Sequence, residues 1–159
     1  MATALLPVIG KMAPDFTLPS STGESISLKQ FKGKKTVILY FYPKNETPGC
    51  IKEACDFRDL SSEFEKSGSV ILGVSTDPMD SHLKFRDKHH LPFPLLSDED
   101  AAVAKLYGVY KMKNLYGKKY MGIERTTFVI DKTGRIAQIY PKVKVEGHIQ
   151  DLLEFVKED

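Results

Sequence analysis

The run Thr36-Val-Ile-Leu-Tyr-Phe-Tyr42 is apolar throughout after its first residue and rich in β-branched and aromatic side chains. That is the pattern of a strand covered on both faces. Pro43 closes it. Val70-Ile-Leu-Gly-Val-Ser-Thr76 repeats the pattern, and between the two lies a charged stretch, 49–66, whose apolar positions recur at helical spacing. Strand, helix and strand at this separation predict a βαβ unit with parallel strands. Upstream, residues 13–19 alternate Phe16 and Leu18 with polar positions between prolines, which predicts a short edge strand followed by a turn. Downstream, helices are predicted over 79–89 and 101–107, the second with Gly108 where a helix stop belongs. Strands over 126–130 and 135–140 flank the turn Asp131-Lys-Thr-Gly134. A last helix over 147–157 carries Ile149, Leu152, Leu153 and Val156 on one face. The polar, lysine-rich segment 111–120 is predicted as a solvated loop. The order β-α-β-α-α-β-β-α gives an α/β fold, a central sheet with helices on both sides.

A chain of 159 residues has the length of one domain, and 42% hydrophobic composition suffices for a core, so a single domain over 1–159 is expected. The net charge of +2 gives no reason to expect a nucleic-acid or anionic-membrane partner. The first ten residues lack the basic start and apolar run of a signal peptide, and no stretch of about 18 apolar residues spans a membrane. Two cysteines are too few for a disulfide-stapled secreted scaffold. A cytoplasmic setting is expected, where a disulfide is catalytic or transient. Asn45-Glu46-Thr47 matches a glycosylation sequon, which is read as chance.

The chemistry-bearing residues are those two cysteines, Cys50 and Cys55, where the first strand turns into its helix. Cys50, Ala54, Phe57, Ser61 and Phe64 share one helical stripe, which the phenylalanines mark as inward. Cys55 lies about 140° around the axis. Inert core thiols, metal ligands and a redox pair are the three readings. For a metal, only His82, His89, His90 and His148 could join the cysteines, and none has ligand spacing to another. Neither a metal nor another cofactor is expected. Against inert thiols, Pro48 and Gly49 place Cys50 at a helix N-terminus, where free N–H groups and the positive dipole end stabilise a thiolate. Thr47 adds a hydroxyl three residues ahead.

Helical geometry limits what the pair can do. Five residues give about 7.5 Å of rise and about 4.3 Å of chord, hence Cα atoms about 8.7 Å apart. A disulfide needs about 7 Å or less. The two can bond only if the first turns unwind, and the polar lead-in 45–49, with its Gly and Pro, is expected to permit that. Acidity alone is also insufficient. A thiol whose pKa falls from about 8.5 to about 6 gains roughly 30-fold in thiolate at neutral pH but loses about tenfold in nucleophilicity. Fast chemistry therefore needs donors for charge developing on the leaving group. The Gly49 and Cys50 N–H groups, the Thr47 hydroxyl and the Arg125 guanidinium are the candidates.

Pro43-Lys-Asn-Glu-Thr47-Pro-Gly-Cys50 resembles the Pro-x-x-x-Thr-x-x-Cys active-site motif of peroxiredoxins. Cys55, in Glu-Ala-Cys-Asp-Phe-Arg58, is similar to the second, helix-borne cysteine of the bacterioferritin comigratory protein (peroxiredoxin Q) subfamily. Ala13-Pro-Asp-Phe-Thr-Leu, Tyr40-Phe-Tyr-Pro and the run from Tyr116 to Asp131 match it too, in order and over nearly the whole chain. The resemblance implies a thioredoxin-like fold, a mixed sheet flanked by helices, with an N-terminal extension. It implies that Cys50 attacks hydrogen peroxide or an alkyl hydroperoxide and becomes a sulfenic acid. Cys55 would resolve this to an intramolecular disulfide, and thioredoxin or a similar dithiol would reduce it. Pro43 would shield the pocket, Thr47 would contact thiolate and peroxide, and Arg125 would polarise both. A monomer is expected, with a dimer as the alternative. Ile51, where the family often has Thr, alters the pocket edge and bears on peroxide preference. Two other readings remain: a redox sensor using the same sulfur chemistry, and a nucleic-acid patch of Lys111, Lys113, Lys118 and Lys119 among Tyr110, Tyr116 and Tyr120.

Overall fold

The computed structural model describes residues 6–157. The reading of the first ten residues falls in part on 1–5, outside the described residues. The chain begins with β1 (Thr17–Pro19), β2 (Ser25–Ser27) and a 3-10 turn (Leu28–Phe31), then enters β3 (Thr36–Phe41). It continues through α1 (Pro48–Asp59), α2 (Ser61–Lys66), β4 (Ser69–Ser75), α3 (Met79–His89), β5 (Leu95–Ser97) and α4 (Ala102–Leu106). The last elements are β6 (Tyr110–Leu115), β7 (Lys118–Ile123), β8 (Thr126–Ile130), β9 (Ile136–Tyr140) and α5 (His148–Lys157).

The five-stranded central sheet has the order β5-β4-β3-β8-β9. β3, β4 and β5 run parallel, as the βαβ reading requires, and β8 and β9 add antiparallel pairings. The alternation in β3 divides the core. Val37, Leu39 and Phe41 face a cluster with Leu18, Ile26, Val103 and Tyr107, under the N-terminal hairpin and α4. Ile38 and Tyr40 face the other cluster, with Phe57, Phe64, Phe85, Leu152 and Val156 from α1, α2, α3 and α5. This is the mixed sheet with helices on both sides and an N-terminal extension. No helix of the described residues is long and apolar enough to cross a membrane.

Three expectations need correction. The helix predicted over 49–66 breaks at Leu60 (φ −107°, ψ 9°) into α1 and α2, and Ser61 is only half-buried. The segment predicted as a loop, 111–120, is the body of the β6–β7 hairpin, a two-stranded sheet of its own. Apolar and polar residues alternate only from Tyr110 to Lys113, and both faces are largely exposed, so no buried face announces it. The short edge strand predicted over 13–19 is narrower, β1 at Thr17–Pro19; it pairs with β2, and the chain just after it meets the central sheet through a bridge at Ser20–Leu96.

Candidate active site

β3 delivers the chain to the site. Tyr42 ends the buried run, and residues 43–47 form a tight lead-in to α1. Asn45 anchors it: the Tyr42 hydroxyl donates to its side-chain oxygen at 2.7 Å, its N–H donates to Asp77 at 2.9 Å, and its amide reaches Ser81 and His82 at 3.1 Å each. Asn45 is 4% exposed, which also closes the sequon to any enzyme. The lead-in expected to open easily is thus tied down.

Thr47 is the N-cap of α1, with Pro48 in the first turn and no side-chain cap bond. Its hydroxyl instead donates to the Lys44 carbonyl at 3.0 Å, and it makes no hydrogen bond to Cys50 in this resting arrangement. The first helical bond is Ile51 N–H to Thr47 O, so the Gly49 and Cys50 N–H groups precede the ladder and donate to no described residue. Cys50 is 2% exposed and sits at that open end.

Arg125 arrives from the opposite strand. Pairing of Phe41 with Thr126 places it beside the end of β3. One guanidinium nitrogen, Nη2, donates to Cys50 Sγ at 3.2 Å, and the other, Nη1, pairs with Glu53 Oε1. Burial alone would lower the Arg125 pKa, but the Glu53 and Cys50 charges outweigh it and hold it above its ordinary value. A Cβ added at Gly49 would stand 3.1 Å from Arg125 Nη2, so the glycine makes room for the cation.

Both cysteines lie on α1 and are unbridged. Cys55 is half-buried on another face of the helix. Pro43 and Thr47 line a cleft of about 310 Å³ whose other wall is the hairpin, through Tyr110, Lys113, Tyr120 and Met121. A separate apolar cavity of about 170 Å³ between Leu28 and Gly134 touches no site residue. The structure thus gathers Pro43, Thr47, Cys50 and Arg125 at one end of β3.

Two residues escape the sequence reading. Glu53 is fully buried, and burial pushes its carboxyl from 4.5 to about 7 against the pull of Arg125. Its second oxygen has no hydrogen-bond partner among the described residues. The available signal was its position one turn after Cys50, on the inward side. Lys113 reaches the cleft from β6. Burial and the Arg125 charge lower its pKa, while the Cys50 and Glu124 charges pull it up. Nothing local in the sequence marks it.

The sequence model of the AhpC/TSA family matches residues 9–139. A putative peroxiredoxin bcp of Coxiella burnetii is 56% identical over 145 residues, 91% of this chain and 95% of that protein. Peroxiredoxin Bcp of Bacillus subtilis is 49% identical over 150 residues, 94% of this chain and 95% of its own. Among solved structures, peroxiredoxin Q of Xanthomonas campestris superposes with TM-score 0.85 at 43% identity, covering 90% of each chain. A cysteine mutant of Xylella fastidiosa peroxiredoxin Q gives TM-score 0.90 at 36% identity, covering 96% of each.

Proposed function

The chain belongs to the AhpC/TSA family as a peroxiredoxin of the Bcp group, a peroxidase, and on that premise we propose how its residues divide the work. Cys50 is the peroxidatic residue. Its thiolate sulfur attacks one peroxide oxygen, the O–O bond breaks, and water or alcohol leaves after taking a proton. Cys50 is left as a sulfenic acid. Arg125 Nη2 and the Gly49 and Cys50 N–H groups stabilise the charge that grows on the departing oxygen. Thr47, with its proton engaged by Lys44, accepts a hydrogen bond from the peroxide O–H. Pro43 walls the cleft against water. Cys55 then attacks the Cys50 sulfur, water leaves, and the disulfide is reduced by thioredoxin or a similar dithiol.

The observation that carries this reading is a guanidinium 3.2 Å from the sulfur of a cysteine at an uncapped helix N-terminus. Organic hydroperoxides are included as substrates because a Xanthomonas campestris relative, 43% identical with TM-score 0.85, has been studied for alkyl peroxide reduction in trapped intermediate and ligand complexes. The chain works as one domain over 1–159, as a monomer, in the cytoplasm.

Stopped-flow oxidation by hydrogen peroxide, with and without thioredoxin, tests the assignment, followed by mass spectrometry of the Cys50–Cys55 peptide. Cys50→Ser abolishes peroxide consumption. Cys55→Ser completes one oxidation but is not recycled by thioredoxin. Unchanged steady-state recycling in Cys55→Ser would remove Cys55 from the resolving role. A single sulfenic acid event without turnover in the unaltered chain would favour the redox sensor.

A further inference from the structure

The β6–β7 hairpin walls the cleft through Tyr110, Lys113, Tyr120 and Met121; its tip, residues 114–119, has no role in the chemistry above. Met112 is 60% exposed, Leu115 55%, Tyr116 98%, Tyr120 46% and Met121 44%. The hairpin register pairs Met112 with Met121 on one face, and Lys113 with Tyr120 and Leu115 with Lys118 on the other. Apolar side chains therefore stand exposed on both sides of a projecting ribbon. No acidic residue occurs from 110 to 123, whereas Lys111, Lys113, Lys118 and Lys119 do. Lys111 is engaged by Glu124 at 3.1 Å and Lys113 lines the cleft. Lys118 and Lys119 are exposed and form no ion pair among the described residues.

The tip adds an independent observation. Tyr116 has φ +52° and Gly117 φ +81°. Asn is the usual residue before Gly in such a turn, because a bulky side chain is strained at positive φ. A tyrosine held there at nearly full exposure gains no packing in this fold to offset the strain. Strain without a structural return points to use elsewhere.

We propose that the hairpin docks on an anionic lipid surface, with Leu115 and Tyr116 entering the interface and Lys118 and Lys119 facing lipid phosphates. A lipid interface surrounds both faces of an inserted tip, which fits the two-sided apolar exposure, and the lysines supply the charge complement to anionic headgroups. Aromatic rings favour the headgroup level, and lysine stems extend toward the charged plane. The net charge of +2, from which no membrane partner was expected, averages over the molecule and hides this patch.

Co-sedimentation of the full chain with vesicles tests the proposal without reference to peroxide chemistry. Phosphatidylcholine vesicles carrying about 30% phosphatidylglycerol bind it, phosphatidylcholine alone does not, and binding weakens as salt rises. Each lysine at an anionic surface contributes about fivefold in partitioning, so Lys118→Gln/Lys119→Gln lowers binding roughly 25-fold. Leu115→Ser/Tyr116→Asn, whose Asn suits the turn, lowers it roughly tenfold. Both variants keep the hydrogen peroxide turnover of the unaltered chain in vesicle-free solution, which shows that they fold. Binding without anionic preference, or binding unmoved by the tip variant, overturns the proposal. So does absence of vesicle binding together with hairpin-dependent binding to thioredoxin, which would make the surface a protein site.

Discussion

At the scale of residues, one guanidinium serves two neighbours, and the two can be separated. Arg125 holds the Cys50 sulfur with one nitrogen and the buried Glu53 carboxylate with the other. Arg125→Ala should slow oxidation by peroxide by roughly 10²–10³, the loss of one transition-state donor. It should also destabilise the fold by about 3 kcal/mol, because Glu53 is left buried and unpaired. Adding Glu53→Gln to that variant should restore most of the stability, read by urea unfolding, and none of the rate, read by stopped flow. Recovery of both together would mean that Arg125 acts only as a structural partner. Gly49→Ala probes the same contact from the other side. Its methyl group would stand 3.1 Å from Arg125 Nη2 and push the guanidinium a few tenths of an ångström. Oxidation should slow by about twofold to tenfold, while the better helix former adds up to about 1 kcal/mol of stability. The juxtaposition of Cys50 and Arg125 was legible because the chemistry restricts residue type and position: a sulfur at a helix N-terminus and a cation at a strand end. Glu53 was not singled out: its place one turn after Cys50 put it on the inward side, but only the long-range approach of Arg125 decides that a carboxylate is kept there.

At the scale of elements, the proposed resolution by Cys55 requires α1 to be both intact and openable. Intact, it leaves the Gly49 and Cys50 N–H groups without acceptors among the described residues, and regular helical geometry keeps Cys55 about 8.7 Å from Cys50, too far to bond. The four hydrogen bonds on Asn45 fix the lead-in, so the proposed opening should start inside the first turn of α1, where no side-chain cap bond has to break. The break at Leu60 separates α1 from α2, which holds Phe64 in the core, so the proposed opening of α1 need not disturb α2. Amide hydrogen exchange should report this directly. In the oxidised protein, exchange at Ile51 to Cys55 should accelerate at least about tenfold, with α3 and α5 unchanged. Equal protection of α1 in both redox states would contradict a helix that opens for resolution. Much of this architecture was legible: β3 and β4 as continuous apolar runs, α3 to the residue, and α5 from its stripe. The β6–β7 hairpin and the three-residue β5 were not. The first buries neither face, so alternation carries no burial signal, and the second lies in Leu91-Pro-Phe-Pro-Leu-Leu-Ser97, where two prolines speak against a strand.

At the scale of the whole molecule, buried titratable groups of opposite kind set how stability responds to pH. Glu53 titrates near 7 in the folded protein, above its ordinary 4.5, because burial disfavours its charge. It therefore binds more protons folded than unfolded between those values. The stability it contributes is complete below about 4.5 and is lost as pH rises through 7, in all about 3 kcal/mol. Asp98, also raised by burial, has the same sign. His148 acts in the opposite sense. Burial lowers it from 6.5 to about 4, with Thr127 in hydrogen bond at 3.0 Å. It stays neutral in the fold while the unfolded chain takes up a proton, so its contribution is complete above about 6.5 and is lost as pH falls through 4. Its magnitude is about 2 kcal/mol after allowance for solvent screening. His82, lowered by burial, adds to that side. Between about pH 4.5 and 6.5 the two slopes oppose, and the urea midpoint of the unaltered chain should be nearly flat there. Glu53→Gln should uncover the histidines, losing stability steadily as the solution is acidified through that window. His148→Gln, which keeps a partner for Thr127, should uncover Glu53 and gain stability over the same interval. Parallel midpoint profiles for the two variants would show that neither group titrates differently in the fold, and would remove the electrostatic tension assigned to the buried Glu53–Arg125 pair beneath the reactive sulfur.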